Sequence, residues 1–337
     1  MIKKTEEEIM KNWKAHDGEK PLVSICSVTF NHEDYIAMSL DGMLMQETNF
    51  PFEIVIRDDC STDKTALIIE EYVKKYPHII KPIFEQENQW SKGVKPLPIV
   101  TRKAIGKYIA LCEGDDYWTD PSQLQKQCEF LEKNTDYSLC YSGATAIDDV
   151  TKQVLIKNKN FGDSSSNELI AGIGNAVIQS VMYRKFDIEE FSKFDIINGD
   201  SLLWHFLGFY GKCKYIGNIK DSVYRIHDGG IWSKSSEQHK LTNSIKTYTA
   251  IRNHIISKFG EESHLLKMHD TLYPPIFHDY FYKSIKKLKI KQYIFGLSTL
   301  LELDHSDKKN IYLYHLKKIL YAIARSIKTI FFKKKIK

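Results

Sequence analysis

Tyr108-Ile109-Ala110-Leu111-Cys112-Glu113-Gly114-Asp115-Asp116-Tyr117-Trp118 is an apolar, β-forming run that ends abruptly in carboxylates. Crowded carboxylates repel, and each disfavours the charge of the next unless something positive sits among them. A divalent cation is the usual remedy. It takes oxygen ligands from one or two carboxylates and the rest from substrate phosphate and water. The stretch therefore predicts a metal–diphosphate site at the end of a strand. A lone Asp-Asp pair is more often a solvated acidic turn, but the same strand-then-carboxylate pattern recurs at Asp58-Asp59.

Upstream, Val23-Ser24-Ile25-Cys26-Ser27-Val28-Thr29-Phe30 reads as a buried strand. Residues 33–46 read as a helix with Ile36, Leu40, Met43 and Leu44 on one face. Phe52 to Arg57 is a second strand ending in Asp58-Asp59, and Ser61-Thr62-Asp63 supplies cap chemistry for a helix to about Tyr76. After the strand Lys107–Cys112, Asp120-Pro121-Ser122-Gln123 gives an N-cap, a proline at the first helical position and a capping-box glutamine. Strands alternating with helices at this spacing predict an α/β fold with a doubly wound, mostly parallel sheet.

Downstream, Ser138–Ile147 and Ala176–Tyr183 read as strands, and residues 156–170 as a surface loop. Asp200 is expected to cap a short apolar helix, Leu202–Tyr210. Cys213–Ile216 and Ser222–Ile226 read as extended, and the chain from about Glu237 as helical. Three segments follow: an N-terminal extension (1–20), a catalytic domain (21–235) and a helical C-terminal region (236–337).

Composition narrows the class. The chain has 337 residues, 42% hydrophobic and 27% charged, enough for a sizeable core. Met1-Ile2-Lys3-Lys4-Thr5-Glu6-Glu7-Glu8 lacks the apolar core of a signal peptide, and no run has the length of a membrane-spanning helix. The six cysteines form no C-x-x-C pair, so a reduced, cytoplasmic protein without a structural zinc site is expected. The net charge of +5 is local: residues 311–337 hold eight Lys or Arg and no acid, which leaves −3 for residues 1–310. No nucleic-acid partner is expected.

Ligands of open α/β sheets sit beyond the carboxyl ends of the strands. Three strands here bring polar groups to that edge: Thr29 and Asn31, then Asp58 and Asp59, then Asp115 and Asp116. The segment Glu53-Ile54-Val55-Ile56-Arg57-Asp58-Asp59-Cys60-Ser61-Thr62-Asp63-Lys64-Thr65 closely resembles the family 2 glycosyltransferases of the GT-A fold. So do Val23 to Asn31, the Glu113-Gly114-Asp115-Asp116 variant of the D-x-D motif, and Tyr224-Arg225-Ile226-His227-Asp228-Gly229-Gly230. The resemblance spans about residues 20–235, and the ordered set is far more specific than any one piece.

That resemblance implies transfer of a sugar, with inversion, from a nucleotide-diphosphate sugar, a UDP-sugar being the expected donor. Thr29, Asn31, Asp58 and Asp59 would hold the nucleoside. Asp115 would bind Mn²⁺ or Mg²⁺ against the diphosphate, with Glu113 and Asp116 beside it. Asp200 matches the family's catalytic base, and Asp195 is its competitor. The basic group before the D-x-D strand is Arg102, Lys103 or Lys92. The acceptor is a saccharide or lipid-linked saccharide of bacterial surface polysaccharide synthesis. Two departures stand out: Glu113 replaces the first acid of D-x-D, and Cys60 stands where glycine is common, which matters if that turn needs φ > 0.

Each reading has a plainer counterpart. Asp58 and Asp59 suit a turn into a helix, and Asp200 suits an N-cap. His227 follows a strand and precedes Gly229-Gly230, where backbone can approach a phosphate. A metal or diphosphate contact stands there beside a structural ring. Trp118 belongs either to the donor pocket or to the core. The near match to a dinucleotide fingerprint at Gly172-Ile173-Gly174-Asn175 lacks its third glycine and its strand context. A nucleotidyl-transfer enzyme of similar fold and a non-catalytic scaffold are the rival functions. Leu316, Ile319, Leu320, Ile323, Ile327, Ile330 and Phe331 recur at helical spacing with Lys317, Lys318, Arg325 and Lys328 off the stripe. That tail suits an anionic membrane surface or packing against protein.

Overall fold

The computed structural model describes residues 4–14, 20–157, 162–196, 199–230 and 235–272. The chain divides into two compact units, Met1–Lys234 and Ser235–Lys337.

The first unit is built on β1 (Val23–Thr29), β2 (Phe52–Asp58), β3 (Ile80–Phe84) and β4 (Tyr108–Leu111), all parallel. Every residue of β2 and β4 is buried, as expected of parallel strands covered on both faces. The far half of the sheet uses β5 (Tyr137–Tyr141), β8 (Val181–Arg184) and β9 (Lys212–Tyr215), with β8 antiparallel to both β4 and β5. Among the described residues the full sheet has the order β3-β2-β1-β4-β8-β5-β9. A second sheet joins β6 (Ala144–Asp148), β7 (Val154–Lys157) and β10 (Ser222–Ile226) in the order β10-β6-β7. The helices α2 (Ile36–Leu44), α3 (Thr65–Lys75), α4 (Pro96–Lys103) and α5 (Gln123–Lys133) separate the parallel strands and follow them. Ile36, Leu40, Met43 and Leu44 of α2 are fully buried in the core, on the face read from the sequence.

Register places the candidate residues. Thr29 lies opposite Asp58, so β1 and β2 end together at the carboxyl edge. β4 stops at Leu111, but the Gly114 N–H donates to the Val28 carbonyl (2.9 Å) and keeps the acidic run beside the end of β1. A Cβ at Gly114 would lie 2.7 Å from the Thr29 hydroxyl, so glycine is what allows the approach.

Several expectations need correction. Ser138–Ile147 is two strands, β5 and β6, in different sheets, because the chain turns at Ser142-Gly143. The strand expected from Ala176 begins only at Val181. Before it, the carbonyls of Gln179 and Ser180 are taken by Trp118 Nε1 and Gln127 Nε2, so a 3₁₀ turn replaces the ladder. α5 starts at Gln123, not Pro121: the Asp120 carboxylate binds the Ser122 N–H and hydroxyl and the Lys220 N–H, and the Gln123 Oε1 accepts from Ser222. Within 156–170 the loop reading gives way to α6 (Ser166–Ile170), with a capping box from Ser165 and Glu168. Within the segment read as an N-terminal extension, residues 4–14 pack on the first unit. Helix α1 (Glu6–Met10) buries Ile9 in the core, and the Glu6 carboxylate accepts from the N–H groups of His78 and Ile79.

In the second unit, Glu237–Phe259 is a helix capped by the Ser236 hydroxyl, followed by the helix His264–Asp270. Arg252 ties the two through Asp270 (2.9 Å). Among the described residues no helix is long and apolar enough to cross a membrane. The basic stripe of residues 311–337 lies outside the described residues.

Candidate active site

The loop after β1 and the loop after β2 lock together. Asn31 and Cys60 both adopt left-handed backbone, φ 55° and 62°. Asn31 tolerates this better than most residues; Cys60 stands where the sequence made such a turn a concern. The Asn31 Oδ1 accepts from the Thr62 N–H (2.8 Å), while its own N–H donates to the Ser61 hydroxyl. Asp58 accepts from the Ser61 N–H and hydroxyl. Asp59 accepts from Arg57 Nη2 (2.7 Å) and from the N–H groups of Gln89 and Trp90. Both carboxylates are buried and well supplied with donors. Thr29 is buried behind Gly114, and its hydroxyl has no partner among the described residues.

The acidic run after β4 is different. Asp116 is fully buried, and its Oδ1 accepts from the Arg225 N–H at 2.9 Å. Burial, then the charges of Asp115 and Glu113, hold its pKa well above the carboxylate range. It is thus enclosed, and the expected donor contact gives way to a structural bond with β10. Glu113 is pushed up as well, by burial and then by Asp115 and Asp200. Burial opposes the charge of Asp115 too, but the His227 hydrogen bond and the fields of His32 and His227 outweigh it, and the net direction is down. His227 Nε2 lies 3.0 Å from Asp115 Oδ2, and His32 Nε2 lies 3.7 Å from the same oxygen. The Gly229 N–H donates to His227 Nδ1 (3.1 Å), so a neutral His227 presents Nε2–H to Asp115.

This group suits a divalent cation. Ligand atoms of His32, Asp115 and His227 lie within 4.8 Å of one another, as do those of Glu113, Asp115 and Asp116. Asp115 Oδ1 is buried without a partner among the described residues. An orphaned carboxylate oxygen amid like charges is costly, and a cation removes that cost.

Asp200 lies in the first turn of α8 (Gly199–Gly208), one residue inside the helix rather than at its cap. The residue as a whole is exposed, and desolvation of its carboxylate raises its pKa to about 6. Its field reaches Glu113 and the Tyr224 phenol, so it faces the same cleft as the acidic run. Asp195 is exposed and sits in the field of Lys95 instead.

Two expected donor residues lie elsewhere. Arg102 is committed to the Glu189 carboxylate and the Ser192 hydroxyl on α7 (Glu189–Ser192). Of its alternatives, Lys92 pairs with Glu87. Trp118 is core: 1% exposed, with Nε1 donating to the Gln179 carbonyl (2.7 Å), so no ring face is open to a sugar. Three residues at the site carry no assignment from the sequence. His32 follows Asn31 at the same strand edge, and that position is its only signal. Arg225 stacks on Tyr117 (4.5 Å) and Tyr35 (5.3 Å) and donates to the Asp115 carbonyl. Tyr224 shares the field of all four acids.

With this geometry in view, the comparisons are specific. The profile of the family described as Glycosyl transferase family 2 matches residues 24–191. EpsE of Bacillus subtilis (strain 168), described as a glycosyltransferase, is 33% identical over 236 residues, covering 69% of this chain and 82% of EpsE. An uncharacterised protein of Mycobacterium tuberculosis is 34% identical over 214 residues, and the match spans only 60% of its length. Among solved structures, Staphylococcus aureus TarS 1-349 in complex with UDP-GlcNAc superposes with a TM-score of 0.63 at 17% identity, covering 88% of each chain. At that identity the likeness concerns the fold, which is GT-A.

Proposed function

Because this chain belongs to glycosyltransferase family 2, we propose that it moves a sugar from a nucleotide-diphosphate sugar to an acceptor hydroxyl, with inversion and with a divalent cation. The observation that carries this reading is the unrelieved acidic run at the end of β4, closed in by two imidazoles and faced by Asp200. Asp115, flanked by His227, would hold Mn²⁺ or Mg²⁺, with Glu113 beside it. When bound, the cation offsets the charge that builds on the leaving diphosphate.

The chain's own groups do the rest. Thr29, expected at the donor, is instead buried behind Gly114, and the loops fixed by Asn31, Asp58 and Asp59 form the wall against which the nucleoside rests. Asp200 accepts the proton of the acceptor hydroxyl as its oxygen attacks the anomeric carbon from the face opposite the diphosphate. UDP is the expected nucleotide, since TarS binds UDP-GlcNAc on the same fold. The acceptor is assigned to bacterial surface polysaccharide or glycoconjugate synthesis by analogy with TuaG of Bacillus subtilis (strain 168), named a putative teichuronic acid biosynthesis glycosyltransferase, 32% identical over 145 residues that cover 41% of this chain and 53% of TuaG.

The test is Asp115→Ala. Isothermal calorimetry should show Mn²⁺-dependent UDP binding in the natural protein and none in the variant, with circular dichroism unchanged. Equal affinity in both, with and without Mn²⁺, defeats the reading. The basic stripe of residues 311–337 adds a second expectation, that the enzyme works on an anionic membrane at about 1 kcal/mol per well-placed Lys or Arg. Full-length protein should sediment with anionic liposomes at low salt, and a chain ending at Asn310 should not. Identical sedimentation of the two removes the membrane role.

A further inference from the structure

The sequence pattern accounts for Asp115 and His227 but gives no duty to His32. The structure holds that ring in place from several sides. Its backbone follows Asn31, whose left-handed conformation turns the chain back over the strand ends. Its N–H donates to the Thr65 hydroxyl at the start of α3 (2.7 Å). Its ring meets Tyr35 edge-on at 6.1 Å between centroids and His227 edge-on at 5.8 Å. Only 14% of the side chain is exposed.

So firmly placed a polar ring ought to have a hydrogen-bond partner, and among the described residues neither ring nitrogen has one. Nδ1 is buried without a hydrogen bond among the described residues. Nε2 points at Asp115 Oδ2 from 3.7 Å, too far for a hydrogen bond. That separation is a few tenths of an ångström wider than two atoms bound to one cation show, a gap that a small shift of the ring closes. Ligands about 2.1 Å from a metal stand roughly 3–3.5 Å apart at octahedral or tetrahedral angles. His227 already spends Nδ1 on Gly229 and Nε2 on Asp115, so His32 is the imidazole whose ring nitrogens have no such bonds.

We propose that His32 is a direct nitrogen ligand of the catalytic cation, and that it biases the centre toward Mn²⁺ over Mg²⁺. Imidazole suits first-row transition cations, whereas Mg²⁺ favours carboxylate, carbonyl and water oxygen. The inference rests on the cation-dependent reading above but assigns a ligand and a selectivity that the reading does not contain.

The probe is Mn²⁺ itself, measured on the full chain with UDP present and again with GDP. Free Mn²⁺ is counted by electron paramagnetic resonance, and Mg²⁺ is titrated in competition. Electron spin-echo modulation reports nitrogen-14 bound to Mn²⁺. The natural protein should show nitrogen modulation and a clear preference for Mn²⁺. His32→Asn should lose modulation depth and weaken Mn²⁺ binding by about tenfold or more, at least the cost of losing an outer-shell partner of a metal ligand. His32→Asp, which replaces nitrogen by oxygen, should recover binding while lowering the Mn²⁺/Mg²⁺ preference by about tenfold. A merely structural histidine would not shift that ratio. Unchanged modulation depth and an unchanged ratio in both folded variants overturn the assignment to His32 and leave the cation-dependent reading standing. Absence of Mn²⁺ binding in the natural protein overturns both.

Discussion

Two neighbouring parallel strands end in acids, and the structure treats them in opposite ways. Beyond β2, the oxygens of Asp58 and Asp59 are met by Ser61, Arg57 and the N–H groups of Gln89 and Trp90. Each of their four oxygens has at least one donor. Beyond β4, Asp116 and Glu113 are driven toward their neutral forms and Asp115 keeps an orphaned oxygen. The same residue type in the same topological place is satisfied by donors in one loop and left in unrelieved repulsion in the other. What separates them is the supply of donors: the β2 acids are met by their own loop and by the segment after β3, while the β4 loop is short and held against Thr29. Sequence pattern finds both clusters. Donor supply says which one is left wanting a cation.

Substitutions can break that contrast. The largest effect is expected at Asp200, the fourth acid, which faces the run beyond β4. Asp200→Asn should cut turnover by about 10²–10⁴-fold with donor affinity nearly unchanged, the scale of general base catalysis. Steady-state kinetics with a saturating donor reads this, and near-normal turnover would end the assignment. Next comes the β2 cluster. Asp59→Ala removes one partner of a buried ion pair and strands three donors, so chemical denaturation should show a loss of about 3 kcal/mol. If Asp59→Ala spares stability but abolishes UDP binding, the structural reading of the β2 cluster is wrong.

The smallest effect is on the pH profile. Asp200 must be ionised to act as a base, and its pKa is raised to about 6. Activity at saturating substrate should therefore fall as pH drops through about 6, about tenfold between pH 7 and pH 5. The sign follows from the raised value: a base at the ordinary aspartate pKa would hold full activity to about pH 5. A flat profile down to pH 5 separates Asp200 from the rate.

Much of this contrast is legible in the amino-acid sequence. Continuous apolar runs ending in acids locate β1, β2 and β4 and their common edge, because fully buried parallel strands leave that imprint. The buried face of α2 follows from period alone. What stays hidden depends on partners far along the chain. β8 runs antiparallel between β4 and β5, and nothing local marks that direction. Trp118 reads equally as pocket or core until Gln179, 61 residues on, claims its indole N–H. Arg102 looks like a phosphate ligand until Glu189 neutralises it. His32 is inconspicuous because one histidine in a loop has no periodicity, and its significance emerges only when His227 and Asp115 arrive beside it.

The bonds that join β10 to the acidic run have a consequence for the order of folding. Arg225 and His227 reach Asp116 and Asp115 across sequence separations of 109, 110 and 112 residues. A chain emerging from the ribosome completes the frame β1, β2 and β4, with all three acids of the β4 loop in place, long before it makes the segment that answers them. Closing so long a loop carries an entropic cost that short-range contacts avoid. Until β10 docks, the acids face one another and water without Arg225 or His227. The bonds that steady the acidic run are therefore a late product of folding, made only after residue 227 has been synthesised and seated.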